Sequence, residues 1–320
     1  MKPTHAIHPA LVQLALALAF GALSACEAPE RQPDAPGAGE SAPEAAAPPE
    51  PGQDRIVIED VFATPESVVY DADADVYLVS NVNGDPFDRD GNGFISRVLP
   101  DGEVERARWI EGSANGVALH APKGMALKGD TLFVADLDTI RAFDRRSGEP
   151  MGAVGVPGAT FLNGLAVGPD GTLYASDSGL SSGYAPSGTD AVYAIRDGVP
   201  VALATGTALA HPNGLLVHGD SVYVAPLDAS TILAVLPDGS VTSVHAVPAG
   251  ALDGITRMPD GSLLVSSWEG EAVYRIRPNG EVEAAVPSVD TPADIGFDDR
   301  RGRVLIPVFA GDAVEAVPVR

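Results

Sequence analysis

The chain has 320 residues, with 20 Lys+Arg against 44 Asp+Glu, a formal net charge of −24, 35 Gly, 28 Pro and a single Cys. A surface this acidic lacks the basic footprint that displaces counterions from phosphates, so no nucleic-acid partner is expected. One cysteine excludes a disulfide framework and a Cys-built zinc site, while 45% hydrophobic residues suffice for a large core.

Residues 1–25 carry one basic residue, Lys2, then the apolar run Ala10 to Phe20 and the small residues Ser24 and Ala25 before Cys26. This is the organisation of an export signal and is short for a membrane span. Leu23-Ser24-Ala25-Cys26 resembles a bacterial lipobox, which implies a lipoprotein signal peptide over 1–25 and Cys26 as the acylated first residue of the mature chain. Several acyl chains at about 0.8 kcal/mol per buried methylene would hold the protein at a membrane surface without a spanning helix. Glu27, where inner-membrane lipoproteins usually carry Asp, favours the outer membrane or periplasmic face of a bacterial cell envelope. Residues 26–54 are Pro, Ala, Glu and Gly with few large apolar side chains, a composition expected to form an extended, disordered tether. Removing both segments leaves a charge of −19 on 55–320, so the acidity belongs to the folded domain.

From Pro65 onward six units share one plan: a polar opening, a short apolar strand, a tight turn, a second strand, a variable loop and a third strand. Their openings centre on Glu66, Lys123, Asn163, Asn213, Asp253 and Asp294, spaced 40 to 57 residues apart. Turn residues such as Gly129-Asp130, Pro169-Asp170-Gly171 and Pro259-Asp260-Gly261 follow each first strand. Second strands read like Thr131-Leu132-Phe133-Val134, and third strands like Ala191-Val192-Tyr193-Ala194. No sustained 3.6-residue period appears in 55–320. Six such units predict an all-β, six-bladed β-propeller. The last unit runs out of chain after three strands, and the N-terminal segment Arg55 to Phe62 is expected to close that blade.

In such a ring the first strand of each unit lines the axial channel, and the six opening residues meet at one face. Asn-Gly and Asp-Gly pairs are ordinary turn formers, but each unit already has its hairpin turn downstream. Glu66, Asn163, Asn213 and Asp253 supply carboxylate and amide oxygens without His or Cys, the donor set of a hard cation such as Ca²⁺, with a hydrated polar channel as the alternative. The insertions Asn81–Gly93 and Asp177–Thr189 follow second strands on that face and are candidate lids. Asp88-Arg89-Asp90-Gly91-Asn92-Gly93 matches the start of an EF-hand loop, but Leu99 holds the twelfth position, so a turn-rich loop is expected. Trp268 is a candidate pocket wall, and His211 a candidate proton shuttle or a solvated loop side chain.

Pro65-Glu66 with Val68-Val69-Tyr70, Asn163-Gly164-Leu165 with Pro169-Asp170-Gly171, Asn213-Gly214-Leu215 and Leu252-Asp253-Gly254-Ile255 resemble the SMP-30/gluconolactonase/LRE-like propellers, relatives of the paraoxonase lactonases. The resemblance spans 64–320. It implies Ca²⁺, or another divalent cation such as Zn²⁺, Mg²⁺ or Mn²⁺, at the mouth of the channel. Glu66, Asn213 and Asp253 would be direct ligands, Asn163 a ligand or substrate contact, and Asp253 also the catalytic base. Lys123 and Asp294, opening the second and sixth units, join Trp268 as expected pocket residues. One departure stands out: where paraoxonase-type lactonases place a catalytic histidine, this chain has Lys123, with His120 three residues earlier. Two functions follow, a membrane-anchored, metal-dependent hydrolase of lactones or related esters with a small-molecule substrate, or a non-catalytic binding propeller with a structural ion. A synthase- or isomerase-type activity on the same fold is a weaker third, since fold does not fix function.

Overall fold

A computed structural model describes residues 55–114 and 116–319. The signal segment, Cys26 and the tether lie outside the described residues. Apart from one two-stranded hairpin, the described strands form six four-stranded antiparallel sheets in sequence order, the blades of a propeller. The inner strands are Pro65–Asp71, Pro122–Lys128, Leu162–Val167, Pro212–His218, Leu252–Arg257 and Gly296–Asp298, and they define blades 1 to 6. Blades 1 to 5 each add three strands outward, for example Leu173–Asp177, Ala191–Arg196 and Val199–Thr205 in blade 3.

Blade 6 has only three strands of its own, and its fourth comes from the other end of the folded domain. Ile56–Ile58 pairs antiparallel with Ala313–Pro318, Ile58 opposite Val314, as the sequence predicts. The closure locks the ring because no blade is left with an unpaired fourth position to recruit another chain. Blade 6 is also stitched to blade 1 at the channel, where the Asp294 amide donates to the Glu66 carbonyl at 2.8 Å and the Val68 amide donates to the Asp294 carbonyl at 3.2 Å.

The apolar side chains are divided among the blade interfaces. One cluster, with Leu78, Ile95, Leu132 and Val134, lies between blades 1 and 2; another, with Leu264, Val273, Val304 and Ile306, lies between blades 5 and 6. This follows from strand periodicity: alternate residues point to opposite faces, and in a radial sheet both faces meet a neighbouring blade. Strands such as Val76–Asn81 are therefore buried throughout and read as continuous apolar runs. Each fully buried Leu or Ile contributes roughly 1.5–3 kcal/mol, distributed around the ring.

Glycines after the opening residues have a role that turn propensity did not suggest. A Cβ on Gly164 would stand 2.4 Å from the Asn213 carbonyl oxygen, and one on Gly214 would stand 2.3 Å from that of Asp253. Neither has a positive φ. These residues are glycine because neighbouring inner strands converge on the axis, where only hydrogen fits. The strand register shifts at the same place, between Leu162 and Leu165 in blade 3 and between Pro212 and Leu215 in blade 4. Such a bulge re-aims the intervening side chain. Among the described residues no helix is long and apolar enough to cross a membrane.

Candidate functional site

The five polar residues that open blades 1 to 5 are all buried: Glu66, Lys123, Asn163, Asn213 and Asp253. All five line one cavity of about 500 Å³ at the mouth of the channel. Serines one strand out hold the first, third and fifth of these openings. The Ser67 amide donates to Ser80 Oγ at 2.9 Å, the Gly164 amide to Ser176 Oγ at 2.8 Å and the Gly254 amide to Ser266 Oγ at 2.8 Å. Ser176 Oγ then donates to the Asn213 carbonyl at 2.6 Å, and Ser266 Oγ to that of Ala293 at 2.7 Å, linking each of these blades to the next. The backbone that presents the polar side chains is thus cross-braced within and between blades.

Four oxygens at the cavity floor have no hydrogen-bond partner although they are buried: Glu66 Oε2, Asn163 Oδ1, Asn213 Oδ1 and Asp253 Oδ1. Buried acceptors are normally satisfied, and leaving one unpaired costs about 1–3 kcal/mol. The Asn163 amide is oriented: its Nδ2 donates to Ser178 Oγ at 3.2 Å, which turns Oδ1 away from that partner. Two carboxylate and two amide oxygens, one from each of blades 1, 3, 4 and 5, make a hard, oxygen-only donor set. Among the described residues no three His, Cys, Asp or Glu side chains gather in a metal-binding cluster, so the amides are integral to any cation site here.

The electrostatics of the same groups are strongly perturbed. Burial raises the Glu66 carboxyl well above the usual range, and the neighbouring charges of Asp253 and Asp294 raise it further while Lys123 opposes them. Asp253 is raised in the same way, by burial and then by Asp294, against stabilisation of its charge by Trp268 and Asn213. Burial raises Asp294 to about 6, opposed by Ser67. Carboxylates held this close must retain protons or acquire a cation. Lys123 supplies one positive charge: its Nζ donates to the carbonyls of Pro86 and Ala121, each at 3.1 Å, and lies 4.2 Å from the Phe161 ring centroid. Burial depresses this ammonium to about 8, with Glu66, Asp136 and Asp85 holding it up.

Trp268, expected as a wall, lines the cavity, and its Nε1 is a buried donor without a partner. Asp294 does not line the cavity; its Oδ2 accepts from Ser67 Oγ at 2.6 Å, so it acts on the floor through charge. His211 does line it, with Nδ1 held 2.8 Å from the Ser178 carbonyl and 3.1 Å from Asp190 Oδ1. His120 is absent from the cavity wall, its Nδ1 accepting from the Gly91 amide at 3.1 Å. It anchors the first insertion loop and does not substitute for a histidine at the opening of blade 2.

Both insertions reach the site. Pro86 from the first, and Leu180 and Tyr184 from the second, form part of the wall. The Phe87 and Phe161 ring centroids lie 4.6 Å apart and those of Phe87 and Tyr184 5.2 Å, so one aromatic cluster joins the two loops. The EF-hand-like stretch is an irregular loop in which Asp90 accepts from the Asn92 amide at 3.2 Å.

Sequence reasoning did not single out Val82, Leu227 or Phe309. Each immediately follows the second strand of its blade, as does Trp268, and all four line the cavity. Phe161 and Ala251 immediately precede inner strands. Reading the same offset in every unit would have found them, because a repeat fold brings equivalent positions to one face.

No family model matches the chain, and no curated protein matches it. Solved structures do. A gluconolactonase from Xanthomonas campestris superposes with a TM-score of 0.62 at 21% identity, covering 83% of this chain and 89% of that one. A second structure assigned as a gluconolactonase gives 0.62 at 18%, covering 84% and 93%. A streptogramin B lyase gives 0.58 at 12%, covering 83% and 98%. At these identities the likeness supports the propeller fold alone and, since proteins titled gluconolactonase and lyase both superpose on the chain, leaves the chemistry to the site.

Proposed function

We propose that the protein is a divalent-cation-dependent hydrolase of lactones or related esters, held at the surface of a bacterial envelope membrane through an acylated Cys26. The observation that carries the catalytic part is the set of four buried, unpartnered oxygens of Glu66, Asn163, Asn213 and Asp253 on the floor of a substrate-sized cavity. These residues would hold the ion, with Ca²⁺ first among hard divalent cations because the donors are all oxygen. When bound, the ion would polarise an ester carbonyl and offset negative charge developing on its oxygen.

The chain's own groups do the remaining work. Asp253 would accept a proton from water, since it is a carboxylate lining the cavity. The Trp268 indole N–H faces Asp253, whose charge it stabilises, and would donate to a substrate oxygen held beside that carboxylate. Lys123 is fixed by Pro86 and Ala121 and supports the first lid loop while opposing the carboxylate charge. Phe161, Tyr184 and Phe309 exclude water from the reacting bond.

The test is turnover of a lactone panel by the full-length chain with Ca²⁺ and with chelator, alongside Glu66→Gln and Asp253→Asn. Cation-dependent hydrolysis lost in both variants supports the reading. Lys123 in place of a histidine favours the second reading, a binding propeller with a structural ion. Cation-dependent melting without turnover of any substrate would establish that alternative, and the absence of any cation effect would remove the site itself.

A further inference from the structure

We infer that the site selects a neutral ester or lactone bearing an apolar ring, seated between two aromatic walls, and rejects polyhydroxylated sugar lactones and anionic esters. This rests on the hydrolase reading and adds the substrate class. One wall is the Phe161–Tyr184 pair, whose ring centroids are 6.5 Å apart, backed by Phe87. The other is Trp268 with Phe309, 5.2 Å apart and inclined at 47°. The pairs come from opposite parts of the ring, the first from the loops of blades 1 to 3 and the second from the ends of second strands in blades 5 and 6. Val82, Leu180 and Leu227 add apolar surface to the same cavity. A flat or branched apolar group fits such walls, and aromatic contacts orient it.

Polar capacity argues the same way. A sugar lactone brings about four hydroxyls, each of which must find a partner or lose its water at a cost. Few buried donors or acceptors are available for them. Lys123 is committed to two carbonyls and His211 Nδ1 to Ser178 and Asp190. The floor oxygens are the cation donors, and the Trp268 indole N–H faces Asp253, so the remaining polar groups of the lining are the exposed Tyr184 hydroxyl and Asp228 carboxylate and His211 Nε2, too few and too exposed to pair the hydroxyls of a buried sugar ring.

Charge completes the selection. With a divalent ion bound, Glu66, Asp253 and Asp294 would be ionised, and their three negative charges would be balanced by that ion and Lys123. Lys123 and His211 are the only basic side chains among the described residues of the lining; the Lys123 ammonium is held by two carbonyls, and His211 Nδ1 lies beside the Ser178 carbonyl and Asp190. An anionic substrate would therefore enter a neutral site without a countercharge, past the exposed Asp228 at its edge.

The chain has two tryptophans, and Trp109 is not in the cavity wall. In a Trp109→Phe full-length protein, Trp268 fluorescence reports binding independently of turnover. Three hydrolysis-resistant or non-lactone probes are titrated in the presence of Ca²⁺: dihydroquinolinone for an aryl lactone, gluconolactam for a sugar lactone and phenyl phosphate for an anionic ester. Dihydroquinolinone is expected to bind at least about tenfold more tightly than either of the others, from the roughly tenfold worth of one aromatic contact. Tyr184→Ala, at a half-exposed lid residue whose loss the fold should tolerate, and Phe309→Ala are each expected to weaken it about tenfold. Gluconolactam or phenyl phosphate binding as tightly, aromatic variants without effect, or no quenching by any probe overturns the inference. The hydrolase reading fails separately: tight dihydroquinolinone binding without Ca²⁺-dependent turnover of dihydrocoumarin removes the chemistry and keeps the ligand class, whereas preferential gluconolactone turnover does the reverse.

Discussion

The buried Asp294 carboxyl beside the two floor carboxylates should make the cation-free protein lose stability as pH rises through a range in which most proteins gain it. Asp294 is raised from 3.8 to about 6 by burial. A carboxyl whose folded pKa is raised favours its protonated form, so its contribution to stability is complete below pH 4 and is lost as pH climbs through about 6. Two units correspond to about 3 kcal/mol, and removing Asp294 also relieves Glu66 and Asp253, which its charge raises. The perturbation is Asp294→Asn, whose amide oxygen still accepts from Ser67 Oγ. Melting temperatures of wild type and variant are compared at pH 4 and pH 7 after chelation. Burial lowers His245, which acts in the opposite direction over part of this window, but it is present in both proteins and cancels in the difference. The variant should gain about 3 kcal/mol relative to wild type between the two pH values, or about 5–10 °C in a domain of this size. Adding Ca²⁺ should stabilise the wild type more at pH 7 than at pH 5, where protons already occupy the carboxyls. A gap that does not change with pH, or one that moves in favour of the wild type as pH rises, would refute the reading that burial holds Asp294 protonated near neutral pH.

Three further outcomes follow from the same geometry. Asn213→Leu should abolish the cation-induced rise in melting temperature while leaving a folded propeller by circular dichroism, since it removes a donor oxygen without charging the floor. Ser176→Ala should cost about 1–3 kcal/mol in denaturant unfolding by stranding the Asn213 carbonyl and the Gly164 amide; an effect below about 0.5 kcal/mol would contradict the bracing role. Gly214→Ala should cost about 1–3 kcal/mol or more, because its Cβ would meet the Asp253 carbonyl at 2.3 Å, and should weaken cation binding by displacing Asp253, whereas Gly219→Ala, in a surface turn with open space around it, should leave the site intact.

Comparing sequence and structure at particular residues shows where local information ends. Glu66, Asn163, Asn213 and Asp253 were legible because each opens a unit in a recognisable repeat, and equal positions in a ring share a face. Phe309 and Leu227 obey an equally regular offset but are ordinary apolar residues in strand-rich sequence, so composition gave no reason to look there. Asp294 satisfied the same positional rule as the floor residues, yet its hydrogen bond to Ser67 removes it from the wall. His120 was close in sequence to the opening of blade 2, but it is pinned to the first insertion by Gly91.

The amino-acid sequence by itself determined the number of blades, the strand that closes the ring and the polar residues at the channel, because these depend on periodicity and repeat spacing. Tertiary structure decided which oxygens are left unpaired, that the Asn-Gly glycines serve close strand approach, and that two aromatic walls enclose the floor. Those features arise between segments far apart in the chain, where packing and shared burial, which no local pattern records, set the outcome.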